Sequence, residues 1–302
     1  MMKAAAVGKG KPINPSLRAR KRTFFFFSFP AAFLYSLFFI FPVGMGLYYS
    51  MTDWDGIAKN INFIGLENYT KLLSNKRFLN AMLFNLRYTI LLTIFIVVLG
   101  VFLALLLNSK VKGITFFRAT FFLPAVLAGV TVALIFNQIF YRAIPPIGQA
   151  LGIPWLSNNI LSSKDTAMYG ILFVNIWQGV AMPTILFLAG LQSIPQELQE
   201  AAAIDGANAW NRFRFITVPF LLPVLTVVMV LTIKSGLMVF DYIVSLTDGG
   251  PARSTESVAI LIYAHAFKEN KFSYSSAEAI VVGLIVAAIS AVQIFFTNRK
   301  KV

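Results

Sequence analysis

Residues 193–219 read SIPQELQEAAAIDGANAWNRFRFITVP and interrupt a chain that otherwise consists of long apolar blocks. This stretch holds three acidic residues, two basic residues, three consecutive alanines and a central glycine. Ser193 and Gln196 have the spacing of a capping box, which predicts that a helix begins here. Gly206 is suited to end that helix in the left-handed conformation, and Asn208 can cap a second short helix. The stretch therefore predicts a helix–glycine–helix element between two apolar segments.

The composition places this element in a membrane protein. Hydrophobic residues make up 58% of the 302-residue chain and charged residues only 13%, whereas soluble domains average about 45–50% apolar and about 25% charged residues. The net charge of +14 comes from basic residues that flank the apolar blocks. Because no soluble domain presents that charge, we do not expect nucleic-acid binding. With no cysteine and one histidine, His265, we expect neither disulfides nor a metal site.

Six segments are long and apolar enough to cross a hydrocarbon core about 30 Å thick as helices. We therefore expect an all-α polytopic membrane bundle, formed by residues 24–302 after a basic tail at residues 1–23. Pro124, Pro183 and Pro223 lie inside the spans and could kink them. The six predicted spans are residues 24–50, 84–108, 117–140, 168–192, 219–244 and 277–297.

The distribution of lysine and arginine orients the spans. With six spans, the two termini, the 109–118 loop and the 193–219 loop share one side and carry 15 basic and 3 acidic residues. The loops on the other side carry 9 basic and 7 acidic residues. Since positive charge accumulates on the cytoplasmic side, both termini and the 193–219 loop are predicted to be cytosolic. The first apolar block is too long for a cleavable signal peptide, so we expect a permanent span.

The pattern leaves two roles open for the first helix of the 193–219 loop. It could pack against its own bundle, as an ordinary loop helix does. Alternatively, its narrow alanine face could lie in a groove of another protein, since isolated helices this short are only marginally stable in water.

The spacing of residues in this loop resembles the EAA motif of permease subunits in binding-protein-dependent ABC importers. That motif consists of Glu-Ala-Ala, three residues, glycine, nine residues, and Ile-x-Leu-Pro. With Val218 in place of the usual leucine, the corresponding residues here are Glu200, Ala201, Ala202, Asp205, Gly206, Ala207, Ile216 and Pro219. The stretches SLTDGGPARSTESVAILIYAHAF at 245–267 and FIGLENYTKLL at 63–73 are similar to external loops of maltose-type sugar permeases.

The resemblance implies the type I ABC importer permease architecture and a division of labour between subunits. A cytosolic ATPase dimer would bind ATP and magnesium, and the EAA loop would couple it to the membrane helices. A second, homologous permease and an extracytoplasmic sugar-binding protein would complete the importer in a bacterial or archaeal cytoplasmic membrane. The P-loop pattern G-x-x-x-x-G-K-[ST] does not occur in the chain, so we expect no nucleotide or other cofactor on it.

Polar side chains inside the spans are the sequence guide to the sugar path, because burying them in lipid is costly. Lys234 and Asp241 are seven residues apart on one predicted helical face, where they either pair with each other or line a wet cavity. Asn175, Trp177 and Gln178 form an amide–indole cluster that suits a sugar, unless they serve to hold helices together. The full set of candidates is Asn175, Trp177, Gln178, Lys234, Ser235, Asp241 and Tyr242.

Two other classes of protein remain as alternatives. An ion-coupled secondary transporter or channel would also have six spans, but it would leave the EAA spacing without a purpose. A membrane enzyme would require clustered acidic or histidine residues at a membrane face, and the cytosolic acids Glu197, Glu200 and Asp205 all lie in the predicted docking helix. On the other side, Glu278 is expected at the membrane interface and His265 in an external loop without a chemical role.

Overall fold

The computed structural model describes residues 15–109 and 113–298. In these ranges the chain is almost entirely helical and has no β-strand, only an isolated bridge between Thr52 and Phe63. This confirms the predicted all-α class. The basic residues of the tail before residue 15, those in the 110–112 segment and those at 299–301 lie outside the described residues, so their placement stays a prediction.

The helices in the described ranges are numbered in chain order. The first seven are α1 (Pro15–Tyr35), α2 (Phe41–Ser50), α3 (Glu67–Ser74), α4 (Lys76–Leu107), α5 (Ile114–Phe122), α6 (Gly129–Gln138) and α7 (Ile144–Ala150). The others are α8 (Ala167–Gly179), α9 (Ala181–Gln192), α10 (Gln196–Ile204), α11 (Ala209–Arg212), α12 (Val218–Leu237), α13 (Asp241–Leu246), α14 (Val258–Tyr263) and α15 (Phe272–Asn298). Single π-helical turns join α1 to α2, α6 to α7 and α11 to α12 (Ser36–Ile40, Ile139–Ala143 and Phe213–Thr217).

By length and composition, the described part of the chain holds helices for six membrane crossings when one bent pair is counted as a single span. Five helical runs are long and apolar enough to span a membrane, and α8 with α9 makes a sixth crossing that bends by 43°. The five runs are Arg22–Ser50, Lys76–Leu107, Gly129–Ala150, Ala209–Leu237 and Phe272–Gln293. The predicted architecture of six spans is therefore confirmed.

Two of the predicted spans are wrong in detail, because helices break inside them. The span predicted at residues 117–140 consists of α5 and α6, which are separated by the extended residues Leu127 and Ala128. The span predicted at residues 219–244 ends at Leu237, and α13 follows after a short non-helical link. Hydropathy does not register such breaks, since the residues within them are themselves apolar.

The unbroken helix α4 is the centre of the bundle. It packs against α5, α8, α9, α12 and α14, and Tyr88, Leu92 and Ile96 on its inner face are almost fully buried. Helices α2 and α3 pack on α15. Phe26 and Phe27 of α1 are exposed, so the beginning of the first span does not enter this core.

The break between α12 and α13 is stabilised by a side chain from α4. Asn85 Nδ2 donates to Leu237 O at 2.6 Å, which is one of the carbonyls freed where α12 ends. Asn85 Oδ1 accepts from Val258 N at 2.9 Å, and Ser257 Oγ donates to Val239 O at 2.9 Å inside the link itself. Backbone groups that leave a membrane helix require such partners.

Close packing of α4 against α12 depends on Gly236. A Cβ atom added at Gly236 would lie 2.7 Å from Thr89 Oγ1 and 3.0 Å from Thr89 Cα. Small residues at such crossings allow two membrane helices to approach each other closely. An added Cβ at Gly283 of α15 would meet nothing within 4 Å, which makes this glycine a matched control.

Replacing Gly236 with alanine is expected to destabilise the protein by about 1–3 kcal/mol, the usual effect of overpacking a core. Gly283→Ala should be neutral or slightly stabilising, because alanine has the higher helix propensity. The thermal unfolding midpoint of the detergent-solubilised protein measures both effects. Equal midpoints for the two variants would contradict the close contact at Gly236.

Candidate functional site

The predicted cytosolic helix exists as α10, but it begins differently from the prediction. Ser193 Oγ donates to Gly190 O at 2.8 Å, and Pro195 is the N-cap residue without a side-chain hydrogen bond. The predicted capping box is therefore wrong. Gln196 Nε2 instead donates to Glu200 Oε1 at 2.7 Å within the helix. With 9 residues, the helix is about 14 Å long.

Gly206 ends α10 as predicted. Its φ is +78°. Its N–H donates to Ala203 O at 3.2 Å, while the N–H of Ala207 donates to Ala202 O at 2.9 Å. These two bonds form a Schellman motif. An added Cβ at Gly206 would meet nothing within 4 Å, so glycine is required by the backbone angle and not by crowding.

No residue of α10 is buried against its own bundle. Ile204 is 87% exposed and Leu198 is 44% exposed, and Glu200, Ala201 and Asp205 are exposed beside them. A loop helix that packs on its own bundle would bury some of these side chains. The burial pattern therefore does not match that alternative and favours a helix that is open to another protein. Sequence reasoning overlooked Ile204, although a large apolar residue in a polar loop was the available signal.

The second half of the loop connects α10 to the membrane. Asn208 Oδ1 accepts from Asn211 N at 2.8 Å and caps α11, as predicted. Helix α11 continues through a π-helical turn into α12, so that Ala209–Leu237 form one helical run. Ile216 is half-buried, and Pro219 is exposed at the second position of α12. The loop is therefore continuous with a helix that crosses the membrane.

A cavity of about 290 Å³ lies beside the break between α12 and α13. Lys234 and Asp241 do not share a helical face, because α12 ends between them. Neither takes part in an ion pair in the described part of the chain, so the geometry matches the cavity alternative. Five of the seven predicted path residues line this cavity, namely Asn175, Lys234, Ser235, Asp241 and Tyr242.

The predicted amide–indole cluster of α8 is not one surface. Trp177 packs edge-to-face on Phe136 at a centroid distance of 5.2 Å. With Phe95, it lines an apolar groove of about 730 Å³ that is separate from the polar cavity. Asn175 is buried, and its Nδ2 donates to Tyr88 Oη at 2.8 Å. The indole and the amide therefore face different environments.

Gln178 uses both ends of its amide inside the bundle. Nε2 donates to Leu127 O at 2.7 Å and to Pro124 O at 3.2 Å. Oε1 accepts from Tyr242 Oη at 2.8 Å. The first two bonds satisfy carbonyls at the break between α5 and α6, so this amide stabilises a broken membrane helix.

A second polar site lies at the end of the bundle opposite α10, and we term it the distal cluster. Arg77 Nη2 lies 2.7 Å from Glu256 Oε1, and Arg77 Nε donates to Glu256 Oε2 at 2.9 Å. Glu269 accepts from Arg77 Nη1 at 2.7 Å and from Lys271 Nζ at 2.7 Å. The whole cluster consists of Arg77, Glu256, His265, Glu269, Lys271 and Glu278.

The expected surface or loop role of His265 is wrong because its side chain is buried, whereas the position of Glu278 at the membrane interface stays a prediction. His265 Nδ1 lies 2.9 Å from both carboxylate oxygens of Glu278. The two side chains are only 3% and 0% exposed, so Glu278 is in the core and His265 is an internal partner. These contacts join α15 to the segment after α14. Within the described residues, no group of three or more histidine or acidic side chains is placed to hold a metal ion.

The basic neighbours of Glu269 shift its titration. Hydrogen bonds from Lys271 and Arg77 lower the pKa of Glu269 from 4.5 to about 2. A carboxylate whose pKa is depressed in the folded state stabilises that state above the ordinary pKa. The contribution disappears as the pH falls through the folded-state pKa.

Glu269→Gln is therefore expected to lower the thermal unfolding midpoint at pH 7, and the difference from the wild type should shrink between about pH 4.5 and about pH 2. Glu67→Gln is the control, because Glu67 forms a solvent-exposed pair with Lys71 at 2.8 Å, and exposed pairs contribute little. Unfolding followed across this pH range in detergent tests both. If the difference between Glu269→Gln and the wild type does not depend on pH, the lowered pKa of Glu269 is contradicted.

Proteins with similar sequences are transport permeases. Residues 73–301 match the family described as the binding-protein-dependent transport system inner membrane component. The chain is 46% identical to the multiple sugar-binding transport system permease protein MsmF of Streptococcus mutans over 266 residues, 88% of this chain and 92% of that protein. It is 34% identical to the probable starch degradation products transport system permease protein AmyD of Thermoanaerobacterium thermosulfurigenes over 291 residues, 94% of this chain and 99% of that protein.

A solved structure has the same fold. The crystal structure of a bacterial ABC transporter involved in the import of the acidic polysaccharide alginate contains a chain with a TM-score of 0.81 at 21% identity, over 94% of this chain and 98% of that chain. The predicted permease architecture is thereby confirmed. Because the family match covers most of the sequence, the chain belongs to the binding-protein-dependent transport system inner membrane components and is a multi-pass permease subunit of the cytoplasmic membrane.

Proposed function

We propose that this chain is the membrane-spanning subunit of an ABC importer that moves a sugar, a di- or oligosaccharide, into the cytoplasm of a bacterium or archaeon. The observation that carries the proposal is α10, a helix with no buried residue, which is joined through Gly206 to a helical run that ends at the polar cavity. The names of the relatives MsmF and AmyD support a carbohydrate substrate.

The proposed partners supply what this chain lacks. A cytosolic ATPase dimer binds ATP and magnesium, since the chain has no P-loop. A second, homologous permease completes the translocation path, and an extracytoplasmic binding protein delivers the sugar. A neighbouring solved structure is described as an alginate ABC transporter in complex with an alginate pentasaccharide-bound periplasmic protein. In this arrangement both termini and α10 lie in the cytosol.

The proposed coupling site is the EAA segment around α10. Exposed Ile204 and Leu198 provide an apolar surface for the ATPase, while Gly206 sets the angle at which the chain turns toward α11. Force applied to α10 passes along the continuous run Ala209–Leu237. The proposed coupling residues are Glu200, Ala201, Ala202, Asp205, Gly206, Ala207, Ile216 and Pro219.

The proposed sugar path follows the polar cavity beside the α12–α13 break. An amide, a phenol and a hydroxyl from Asn175, Tyr242 and Ser235 are suited to bind sugar hydroxyls, and Lys234 and Asp241 add charged hydrogen-bonding groups. Trp177 is a weaker candidate than its sequence neighbours, because it lines the apolar groove instead.

Reconstitution in proteoliposomes tests the function. The chain is incorporated with its candidate ATPase and second permease, and binding protein loaded with maltose or a longer oligosaccharide is added outside. We expect the loaded binding protein to stimulate ATP hydrolysis and sugar uptake together. Sugar uptake that continues without the ATPase and follows an imposed ion gradient would establish the alternative, an ion-coupled secondary transporter or channel.

Replacing Gly206 with valine tests the coupling role. A β-branched residue at φ +78° is expected to strain the backbone by about 1–2 kcal/mol and so to misdirect α10. Binding-protein-stimulated uptake should fall at least about tenfold, a change that about 1.4 kcal/mol produces, while the protein remains in the membrane.

Gly65→Val is the matched control for that variant. Gly65 also has a positive φ, +62°, and open space around an added Cβ, but it lies in the loop before α3. Uptake by Gly206→Val equal to uptake by Gly65→Val, at equal membrane abundance, would count against a coupling role for the α10 segment.

A further inference from the structure

Breaks between helices meet at one level of the bundle. Leu127 and Ala128 separate α5 from α6 directly before the third run, the fourth crossing bends by 43° where α8 passes into α9, and a short link separates α13 from α12 at the end of the fifth run. Gln178 lies in the last turn of α8, directly before the bend. Its amide bonds to the carbonyls at the first of these breaks and to Tyr242, which follows the last.

The helix halves on each side of this level form two groups, and both groups contact α4. Helices α6, α8 and α13 contact one another, and Asn137 Nδ2 of α6 donates to Leu246 O of α13 at 3.0 Å. On the other side, α5 and α12 both pack on α9. The first group continues into the loops opposite α10, and the second continues into the segments on the α10 side.

At this level, Gln178 makes side-chain bonds to the segment before α6 and to α13. Its Nε2 satisfies Leu127 O at 2.7 Å and Pro124 O at 3.2 Å. Its Oε1 accepts from Tyr242 Oη at 2.8 Å, and an added Cβ at Gly129 would lie only 3.6 Å from the same hydroxyl. One buried amide therefore connects the segment before α6 with the first turn of α13.

We propose that Gln178 is a positioning residue that holds the two groups of helix halves in register, and that it does not bind the sugar. Every polar atom of its side chain is already engaged in the bundle, which leaves little capacity for a sugar hydroxyl. The loss of its amide leaves the carbonyl of Leu127 and the hydroxyl of Tyr242 without their partner in an apolar interior, while Pro124 O keeps the N–H of Leu127. Conformations in which the breaks rearrange then become more populated.

The proposed import function gives this role its purpose, but the role of Gln178 in holding the helices is independent of transport. The first measurement therefore does not require transport. The chain has no cysteine, and spin labels can therefore be placed at Phe116→Cys in α5 and Ile147→Cys in α7, on either side of the break. Both positions are exposed. Distances between the labels are measured in the assembled complex without sugar, nucleotide or binding protein.

Gln178→Met keeps the size of the side chain and removes both the donor and the acceptor. We expect a second distance population that rises about five- to tenfold over the wild type, the change produced by losing one buried hydrogen bond. Gln138→Met is the matched control, since Gln138 of α6 is exposed, and it should leave the distances unchanged. Distances for Gln178→Met that equal those of the control overturn the proposal, because a residue that only binds sugar does not alter the sugar-free protein.

A second variant covers the case in which Gln178→Met does not accumulate in the membrane. Tyr242→Phe removes only the hydroxyl that donates to Gln178 and should shift the same population in the same direction, to a smaller extent. Unchanged distances in that variant then overturn the proposal.

Reconstituted importer gives the second readout. Gln178→Met should lower the amount of sugar moved per ATP hydrolysed by about five- to tenfold while ATP hydrolysis persists, because the two groups of helix halves no longer move together. A normal ratio of sugar to ATP in a variant with altered distances overturns the positioning role. If the wild type itself moves no sugar, the import function fails, and the distances still decide the role of Gln178 in the fold.

Discussion

The structure depends on one constraint: a backbone carbonyl or amide that leaves a helix inside a membrane must find another partner. Non-helical backbone separates α5 from α6 and α12 from α13, and the freed carbonyls there accept from side-chain amides of neighbouring helices, Gln178 at the first break and Asn85 at the second. Irregular backbone is tolerated at membrane depth only when it is buried in protein or lines a cavity. The break between α12 and α13 fits this rule, because it lies beside the polar cavity.

The unbroken helix α4 makes these interruptions possible. It supplies Asn85 to the break in the fifth crossing and Tyr88 to Asn175 of the fourth. Its first turn contributes Arg77 to the distal cluster. The carboxyl groups of that cluster belong to Glu256, Glu269 and Glu278, and its basic side chains include Arg77 and Lys271. One continuous helix thus anchors both the broken interior and the charged end of the bundle.

Much of the architecture could be predicted from the sequence, because hydropathy and spacing are local signals. The six crossings follow from apolar length, and the stop at Gly206 follows from the need for a positive φ. The breaks could not be predicted from proline alone. Pro124 immediately precedes a break and Pro183 lies just after the bend, but Pro223 lies within α12, which continues to Leu237. Whether a helix breaks depends on whether a neighbouring helix supplies hydrogen-bonding partners for the freed backbone groups. The sequence alone does not show which helices are adjacent in the fold.

The candidate site was predictable only in part, for the same reason. The sequence predicts Lys234 and Asp241 on one helical face, but they share a cavity instead because the helix ends between them. Arg77 and Glu256 are 179 positions apart in the chain, and no local sequence pattern predicts such a pair. His265 looked isolated in the sequence because its partner Glu278 belongs to the next helix. Long-range polar contacts in the interior must be read from the fold.

The positions of the exposed helix and of the breaks together suggest how motion travels through this chain. No residue of helix α10 is buried in its own bundle, and the run from Ala209 to Leu237 is one continuous helical run. That run ends where the polar cavity begins, at a level where Gln178 joins the end of the α5 segment to Tyr242 of α13. If α10 is the coupling helix that we propose, a displacement at one face would pass along this run and reach the cavity at its end. The fifth crossing supplies the continuous helix, and the non-helical link to α13 follows it directly.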